Sequence, residues 1–93
     1  MKRQILRLPS FVRKVRKLLK RHPELKEGVV TAIRLLEEDA FHPSLKTHKL
    51  KGDFGDSWSC SAGYDLRIIF SFVTHANSEA IVLESIGTHD QAY

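Results

Sequence analysis

The stretch from Leu66 to Val73 constrains the fold of this chain more than any other segment. Six of its eight residues are apolar, and they fall on both faces of an extended chain. A strand that is apolar on both faces is typical of the middle of a sheet, where side chains are covered from both sides. The segment therefore predicts a central strand, which needs neighbouring strands and a covering layer from the rest of the chain.

Shorter strand patterns precede and follow this segment. Apolar or alternating runs predict strands at residues 5–8, 46–51, 57–62 and 79–86, with a hairpin turn at 75–78. In the third of these runs one face carries Trp58, Cys60 and Ala62, and the other face carries three serines. Gly87 is expected to release the chain from the last strand.

Two helices are predicted between the first and second strands. Ser10 is the expected N-cap of the first helix. Its apolar stripe consists of residues at helical spacing: Phe11, Val15, Leu18 and Leu19. Pro23 interrupts the pattern, and a second helix runs to about Asp39. The order β-α-α-β-β-β-β predicts a single α+β domain, residues 1–93, with two adjacent helices packed on one face of a curved, mainly antiparallel sheet.

Positive charge is concentrated in the first helix. The chain has a net charge of +4, but residues 1–26 alone carry ten Lys and Arg residues against one acid, Glu24. A helix face of one sign attracts phosphate backbones. Arg13, Lys14 and Lys17 are therefore candidates for binding nucleic acid, and the alternative is a solvated helix face.

Several classes of protein are disfavoured by the composition. Cys60 is the single cysteine, so an internal disulfide and a cysteine-based metal site are excluded, and a reducing cytosol is expected. No apolar run is long enough for a transmembrane helix, so no membrane association is expected. The histidines lack the spacing of a metal site, and no cofactor is predicted. A chain this short favours an open groove over an enclosed pocket.

Arg67 is the sharpest candidate for a functional residue, because a central strand rarely contains an arginine without a partner. Asp65, two residues earlier, could form an internal ion pair with it. The alternative is that Arg67 binds a phosphate of a ligand.

Two histidines are candidates for proton transfer, because histidine exchanges protons near neutral pH. His48 stands in a polar segment with Lys46, Lys49 and Lys51, and the alternative for it is an exposed surface histidine. His89 follows Gly87 and precedes Asp90. Tyr93, an aromatic residue four positions after His89, suggests stacking or packing.

Three motifs in this order resemble the RelE/ParE toxin superfamily of bacterial toxin–antitoxin systems, and most closely its YafQ-like ribonucleases. They are His48-x-Leu50-x-Gly52, the strand Leu66-Arg67-Ile68-Ile69-Phe70, and Gly87-Thr88-His89 with Tyr93 after it. The resemblance implies a compact, cytoplasmic bacterial toxin that cuts messenger RNA on the ribosome without a metal and is neutralised by a cognate antitoxin.

The resemblance also implies site residues. The YafQ-like scheme places its catalytic groups on His48, Asp65 and His89, while its middle histidine falls on Ser61. The RelE-like scheme uses lysines, an arginine in the central strand and a C-terminal tyrosine. Lys49, Lys51, Arg67 and Tyr93 match that second set, so the chain combines the two schemes.

Two alternatives to a ribonuclease remain at this stage. ParE-like members share the fold and bind DNA gyrase without cutting RNA. The pair His48 and His89 favours an enzyme over such a binding protein, because binding alone does not require these histidines. A catalytically inactive relative that only binds an antitoxin is the second alternative, since Ser61 replaces a family histidine.

Overall fold

The computed structural model describes residues 2–52, 55–63 and 65–88. Its strands and helices follow in the predicted order, with these bounds: β1 Gln4–Arg7, α1 Pro9–Arg21, α2 Lys26–Glu38, β2 His48–Lys49, β3 Trp58–Ser61, β4 Leu66–His75 and β5 Ser78–Thr88. Two short 3-10 turns, Pro23–Leu25 and Pro43–Leu45, precede α2 and β2. No helix within the described ranges is long and apolar enough to cross a membrane.

The five strands form one sheet in the order β1-β5-β4-β3-β2. β1 runs parallel to β5, and the other three neighbouring pairs are antiparallel. β4, which contains the apolar segment, lies in the middle as predicted. The α+β class and the mainly antiparallel sheet are therefore confirmed.

The helices cover one face of this sheet. The buried cluster joins Phe11 of α1 and Leu36 of α2 to Ile68 and Phe70 of β4 and to Cys60 of β3. These strand residues alternate with Arg67 and Ile69, which must point away from the helices because neighbouring residues in a strand face opposite sides. The predicted apolar stripe of α1 is confirmed, since its four residues belong to this cluster or pack against it.

α2 approaches the sheet closely at Gly28. A Cβ atom added to Gly28 would lie 2.6 Å from the carbonyl oxygen of Ala62, which is closer than such atoms approach in proteins. The glycine therefore lets the helix backbone rest on the end of β3.

The prediction that Ser10 is the N-cap of α1 is wrong. Leu8 is the N-cap residue and Pro9 opens the helix, because the fixed φ of proline suits the first helical position. Ser10 lies inside the first turn, where its hydroxyl donates to the backbone carbonyl of Glu84 at 3.1 Å. Its polar group thus joins α1 to β5.

Most strand boundaries differ from the prediction by a residue or two, and two of the differences bear on the site. The expected strand 46–51 is only His48–Lys49, because Lys46 ends a 3-10 turn with a left-handed φ of 51° and cannot continue a ladder. β5 continues through Gly87 to Thr88, so the prediction that Gly87 ends the strand is wrong. Gly87 instead pairs with Arg67 in the middle of the sheet.

A β-bulge interrupts the pairing of β4 with β5. Ile69 is paired with Ser85 but Phe70 with Leu83, so Glu84 is an extra residue on β5. Bulges bend a strand and change the direction of its side chains. This bulge lies beside the first turn of α1, which Ser10 joins to the carbonyl of Glu84.

Candidate functional site

Arg67 is the centre of a row of three residues on the sheet face that points away from the helices. Its cross-strand partners are Ser61 on β3 and Gly87 on β5. We call this surface the arginine face, defined by Arg67, Ile69, Ser59, Ser61 and Ser85. Arg67 is half-buried, so part of its side chain is exposed to solvent.

The guanidinium of Arg67 lies towards β3. Its Nη1 donates to the backbone carbonyl of Leu66 at 3.1 Å. The Leu66 carbonyl also accepts a hydrogen bond from the Ala62 amide at 2.9 Å, so this carbonyl points towards the end of β3. The remaining N–H groups of Arg67 are available for an anion, because a guanidinium has five donors.

Asp65 does not neutralise Arg67. It is exposed and has a left-handed φ of 55° in the turn before β4, outside the strand. Among the ion pairs of residues 2–52, 55–63 and 65–88, none joins Asp65 to Arg67. The ion-pair alternative from the sequence is therefore wrong, because the left-handed turn carries Asp65 out of the strand register.

His48 lies on the same face of the sheet as Arg67, on the edge strand β2, two strands away from β4. It pairs with Ser59, and Ser59 pairs with Ile69, two residues from Arg67. With strands about 4.8 Å apart and about 3.4 Å per residue, the Cα atoms of His48 and Arg67 are about 12 Å apart. The two groups therefore lie two strands apart on one face of the sheet.

A hydrogen bond sets the tautomer of His48. Its Nδ1 lies 3.0 Å from the backbone carbonyl oxygen of Lys46. A carbonyl can only accept, so Nδ1 carries the proton of this bond. In the neutral ring Nε2 is then the unprotonated nitrogen, and the exposed side chain presents it as a proton acceptor.

Lys14 reaches the arginine face from the other edge. α1 follows the part of β5 that β1 leaves unpaired, since the Leu8 amide donates to the Leu83 carbonyl at 3.1 Å. Six residues further along, Lys14 Nζ lies 2.9 Å from Ser85 Oγ. The sequence pattern of α1 could not predict this contact, because Lys14 and Ser85 are 71 positions apart in the chain.

The remaining predicted RNA-binding residues form two exposed groups. Arg13 and Lys17 lie on α1, on the β5 side, and Lys46, Lys49 and Lys51 lie around β2, at the other edge of the sheet. The Nζ atom of Lys49 is 4.0 Å from a carboxylate oxygen of Asp56. Because the Asp56 side chain is fully exposed, this ion pair contributes little to stability. Basic residues thus lie on both sides of Arg67.

The middle of the arginine face is buried, and hydrogen bonds join its strands at one end. Ser59 and Ile69 are buried. Glu84, the extra residue of the bulge, accepts a hydrogen bond from Ser57 Oγ at 2.8 Å. The carbonyl of Ser57 in turn accepts the Leu50 amide at 3.0 Å, just after β2. The bulge therefore helps to hold the segment that carries His48, a connection that the sequence did not reveal.

Ser61 has a structural partner. Its hydroxyl donates to the Gly63 carbonyl at 3.2 Å, within the turn that joins β3 to β4. Beside it Cys60 is buried on the helix side, and burial raises the pKa of its thiol from 9.0 to about 12. The thiol is therefore neutral and inert near pH 7.

His89 and Tyr93 lie outside the described residues, so the predictions for them stay predictions. Within residues 2–52, 55–63 and 65–88, no group of three His, Cys, Asp or Glu side chains is arranged to hold a metal ion.

Comparisons with known proteins agree with the resemblance seen in the sequence. Residues 3–93 match the family model described as the bacterial toxin of type II toxin–antitoxin system, YafQ. YafQ from E. coli strain BL21(DE3) has a similar structure, with a TM-score of 0.79, 17% identity and 99% of both chains covered. The E. coli DinJ–YafQ toxin–antitoxin complex gives a TM-score of 0.77 at 18% identity, covering 100% of this chain and 99% of the other.

A third structure is a metal-bound toxin from Helicobacter pylori, with a TM-score of 0.71, 25% identity and 100% of both chains covered. No curated protein sequence matches the chain at a significant level.

Proposed function

The chain belongs to the YafQ family of toxins from bacterial type II toxin–antitoxin systems, and we propose that it is an endoribonuclease that cleaves messenger RNA, on the ribosome and without a metal. The observation that carries the proposal is Arg67. A permanently charged side chain lies on the central strand, accessible and without a carboxylate partner among the described residues. A rigid strand is a precise support for a group that binds a phosphate.

The proposed reaction is attack of the ribose 2′-oxygen on the adjacent phosphorus. A base removes the 2′-hydroxyl proton, the P–O5′ bond breaks, and an acid protonates the leaving 5′-oxygen. The products are a 2′,3′-cyclic phosphate and a 5′-hydroxyl end. Each proton-transfer group contributes about 10²–10⁴-fold, and a charged donor to the developing negative charge about 10²–10³-fold.

His48 is the proposed base, because its hydrogen bond to the Lys46 carbonyl leaves Nε2 as the proton acceptor. Arg67 is proposed to stabilise the negative charge on the phosphorane oxygens. The family resemblance places a catalytic histidine at His89, which is proposed as the acid, and Tyr93 is proposed to stack a base or position the phosphate. Asp65, exposed at the start of β4, is proposed as a further catalytic group on the same ground.

The substrate strand is proposed to run across the arginine face. Arg13, Lys14 and Lys17 on one side and Lys46, Lys49 and Lys51 on the other would bind its backbone, because cations on both sides of a site neutralise successive phosphates. A shallow surface of this kind suits single-stranded RNA better than a small molecule.

A cognate antitoxin is the proposed protein partner. The YafQ of the E. coli complex is bound to DinJ, and the exposed cations of α1 offer an acidic segment a complementary surface. A segment that folds on contact would neutralise these charges and cover the site. The complex is proposed to form in the bacterial cytoplasm.

The test is primer extension on messenger RNA in translating ribosomes, with toxin that was either left untreated or treated with EDTA and then freed of it by dialysis, followed by analysis of the new ends. Cleavage inside reading frames that EDTA treatment of the toxin does not abolish, with 2′,3′-cyclic phosphate ends, is the expected result. Intact messages together with gyrase-dependent DNA breaks would instead establish the ParE-like alternative. Intact messages and intact DNA, with antitoxin binding retained, would establish a catalytically inactive relative.

A further inference from the structure

The contact between Lys14 and Ser85 brings a second cation to the arginine face. α1 carries six cations that are all exposed: Arg13, Lys14, Arg16, Lys17, Lys20 and Arg21. Lys14 differs from a freely solvated cation because its Nζ is fixed 2.9 Å from a hydroxyl of the sheet. Ser10, four residues earlier and therefore on the same side of the helix, is bonded to Glu84. The helix face that carries Lys14 is thus held against β5.

The register of β5 places this lysine close to Arg67. Ser85 pairs with Ile69 and Gly87 with Arg67, and no register shift lies between these pairs. Ser85 is therefore a diagonal neighbour of Arg67 on one face, with Cα atoms about 7–8 Å apart. Because the guanidinium of Arg67 lies towards β3, Lys14 and Arg67 approach the site from opposite sides.

The ammonium group of Lys14 keeps N–H donors with which it can bind an anion. An ammonium group has three N–H donors, and the hydrogen bond to Ser85 uses one of them. The hydroxyl fixes the direction of the side chain without neutralising its charge.

We propose that Lys14 is a catalytic residue whose Nζ contacts the scissile phosphate of the RNA opposite Arg67. The inference rests on the ribonuclease function proposed above and adds a role that the other cations of α1 do not share. Arg67 and Lys14 together bracket the phosphate and stabilise the charge that develops on its oxygens. Arg13 and Lys17 bind backbone further along the strand.

The alternative is that Lys14 only fastens α1 to β5. That role would appear as lost stability, and an exposed hydrogen bond of this kind contributes little to folding. A phosphate contact would appear as a slower chemical step at saturating RNA, together with a salt dependence of binding that is shallower by about one ion. The two roles are therefore separable by experiment.

The test compares Lys14→Met with Lys20→Met, an exposed lysine of the same helix that is not proposed to touch RNA. Single-turnover cleavage of messenger RNA on ribosomes is measured beside the thermal midpoint of each protein. We expect a rate loss of about 10²-fold for Lys14→Met, less than about threefold for Lys20→Met, and similar midpoints for both.

A chemical rescue makes the test specific for the ammonium group. Lys14→Cys is treated with 2-bromoethylamine, whose alkylation of the thiolate releases bromide and restores an amine at nearly the same reach. Cys60 is fully buried and has a pKa of about 12, so the folded wild-type protein is not expected to react. Recovery of most of the wild-type rate after alkylation is the expected result.

Each outcome has a definite meaning. If the wild-type protein is active and Lys14→Met cleaves RNA at a rate within about threefold of the wild-type rate, the proposed role of Lys14 is overturned. The proposed ribonuclease function would then remain intact. A rate loss that alkylation fails to restore, with a lowered thermal midpoint, would assign Lys14 to the attachment of α1 alone. A wild-type protein that cleaves no RNA would overturn both proposals.

Discussion

Arg67 and Ser61 are direct cross-strand partners on the sheet face that points away from the helices. The family resemblance assigns a histidine to the position of Ser61, next to the arginine of the RelE-like scheme. In this chain the Ser61 hydroxyl is bonded to the Gly63 carbonyl and so stabilises a turn. The position that the resemblance links to proton transfer is thus structural here, beside a cation that remains accessible.

Replacing Ser61 with histidine should add a proton-transfer group at the position where the YafQ-like scheme has one. The introduced imidazole would project beside Arg67, whose positive charge disfavours the protonated ring. We expect single-turnover cleavage to rise by roughly tenfold or more at neutral pH, within the usual range for acid–base groups. Ser61→Ala is the matched control, and cleavage equal to that control would show that this position no longer takes part.

Removing the charge of Arg67 should slow cleavage strongly. For Arg67→Ala we expect a loss of about 10²–10³-fold in the single-turnover rate, the usual effect of removing one donor from a developing oxyanion. Arg67→Lys should recover part of the rate, because it keeps the charge but loses the planar fork. Arg34→Ala, an exposed arginine on α2, is the control. Full activity in a folded Arg67→Ala protein would remove Arg67 from the site.

Loss of His48 should change the pH dependence of cleavage as well as its rate. A general base must be unprotonated to accept a proton, so the wild-type rate should fall in acid solution. We expect His48→Ala to be slower by 10²-fold or more and to lose this acid limb. His75→Ala changes an exposed histidine at the end of β4 and should match wild type. An unchanged acid limb in His48→Ala would assign the base to another residue.

Gly28→Ala should destabilise the protein although alanine favours helix. The gain in helix propensity is about 1 kcal/mol. The new Cβ would lie 2.6 Å from the carbonyl oxygen of Ala62, which is backbone and cannot rotate away. Overpacking of this kind costs about 1–3 kcal/mol, so the net effect should be a lower free energy of unfolding. Thr31→Ala, at an exposed position of α2, should be neutral or slightly stabilising in urea unfolding. A stability gain in Gly28→Ala would show that α2 can shift freely on β3.

The buried thiol of Cys60 should make stability fall at alkaline pH. Burial raises the pKa of Cys60 from 9.0 to about 12 in the folded protein. Above pH 9 the unfolded chain therefore loses a proton that the folded protein keeps, and unfolding is favoured as the pH rises. By pH 10.5 this difference amounts to about 2 kcal/mol. Urea unfolding of wild type should decline more steeply between pH 8.5 and 10.5 than that of Cys60→Ala, and equal slopes would contradict a buried neutral thiol.

Local sequence patterns were sufficient to predict the order of helices and strands and the residue types of the candidate site. Periodicity in α1 and the apolar segment of β4 report directly which side chains are buried, because burial of one face is what selects helix or strand. Arg67 stood out for the same reason, as a charged residue within that apolar segment. His48 and the cations of α1 were likewise visible as residue types, without any indication of what they would face.

Which of these groups come into contact became visible only in the folded protein. The bulge at Glu84, the continuation of β5 through Gly87 and the contact of Lys14 with Ser85 all depend on strand register and on the position of α1. Register is set by packing between segments far apart in the chain, so no local pattern encodes it. A one-residue shift of β5 would turn Ser85 to the helix side and separate Lys14 from Arg67, although every residue of the sequence would be the same.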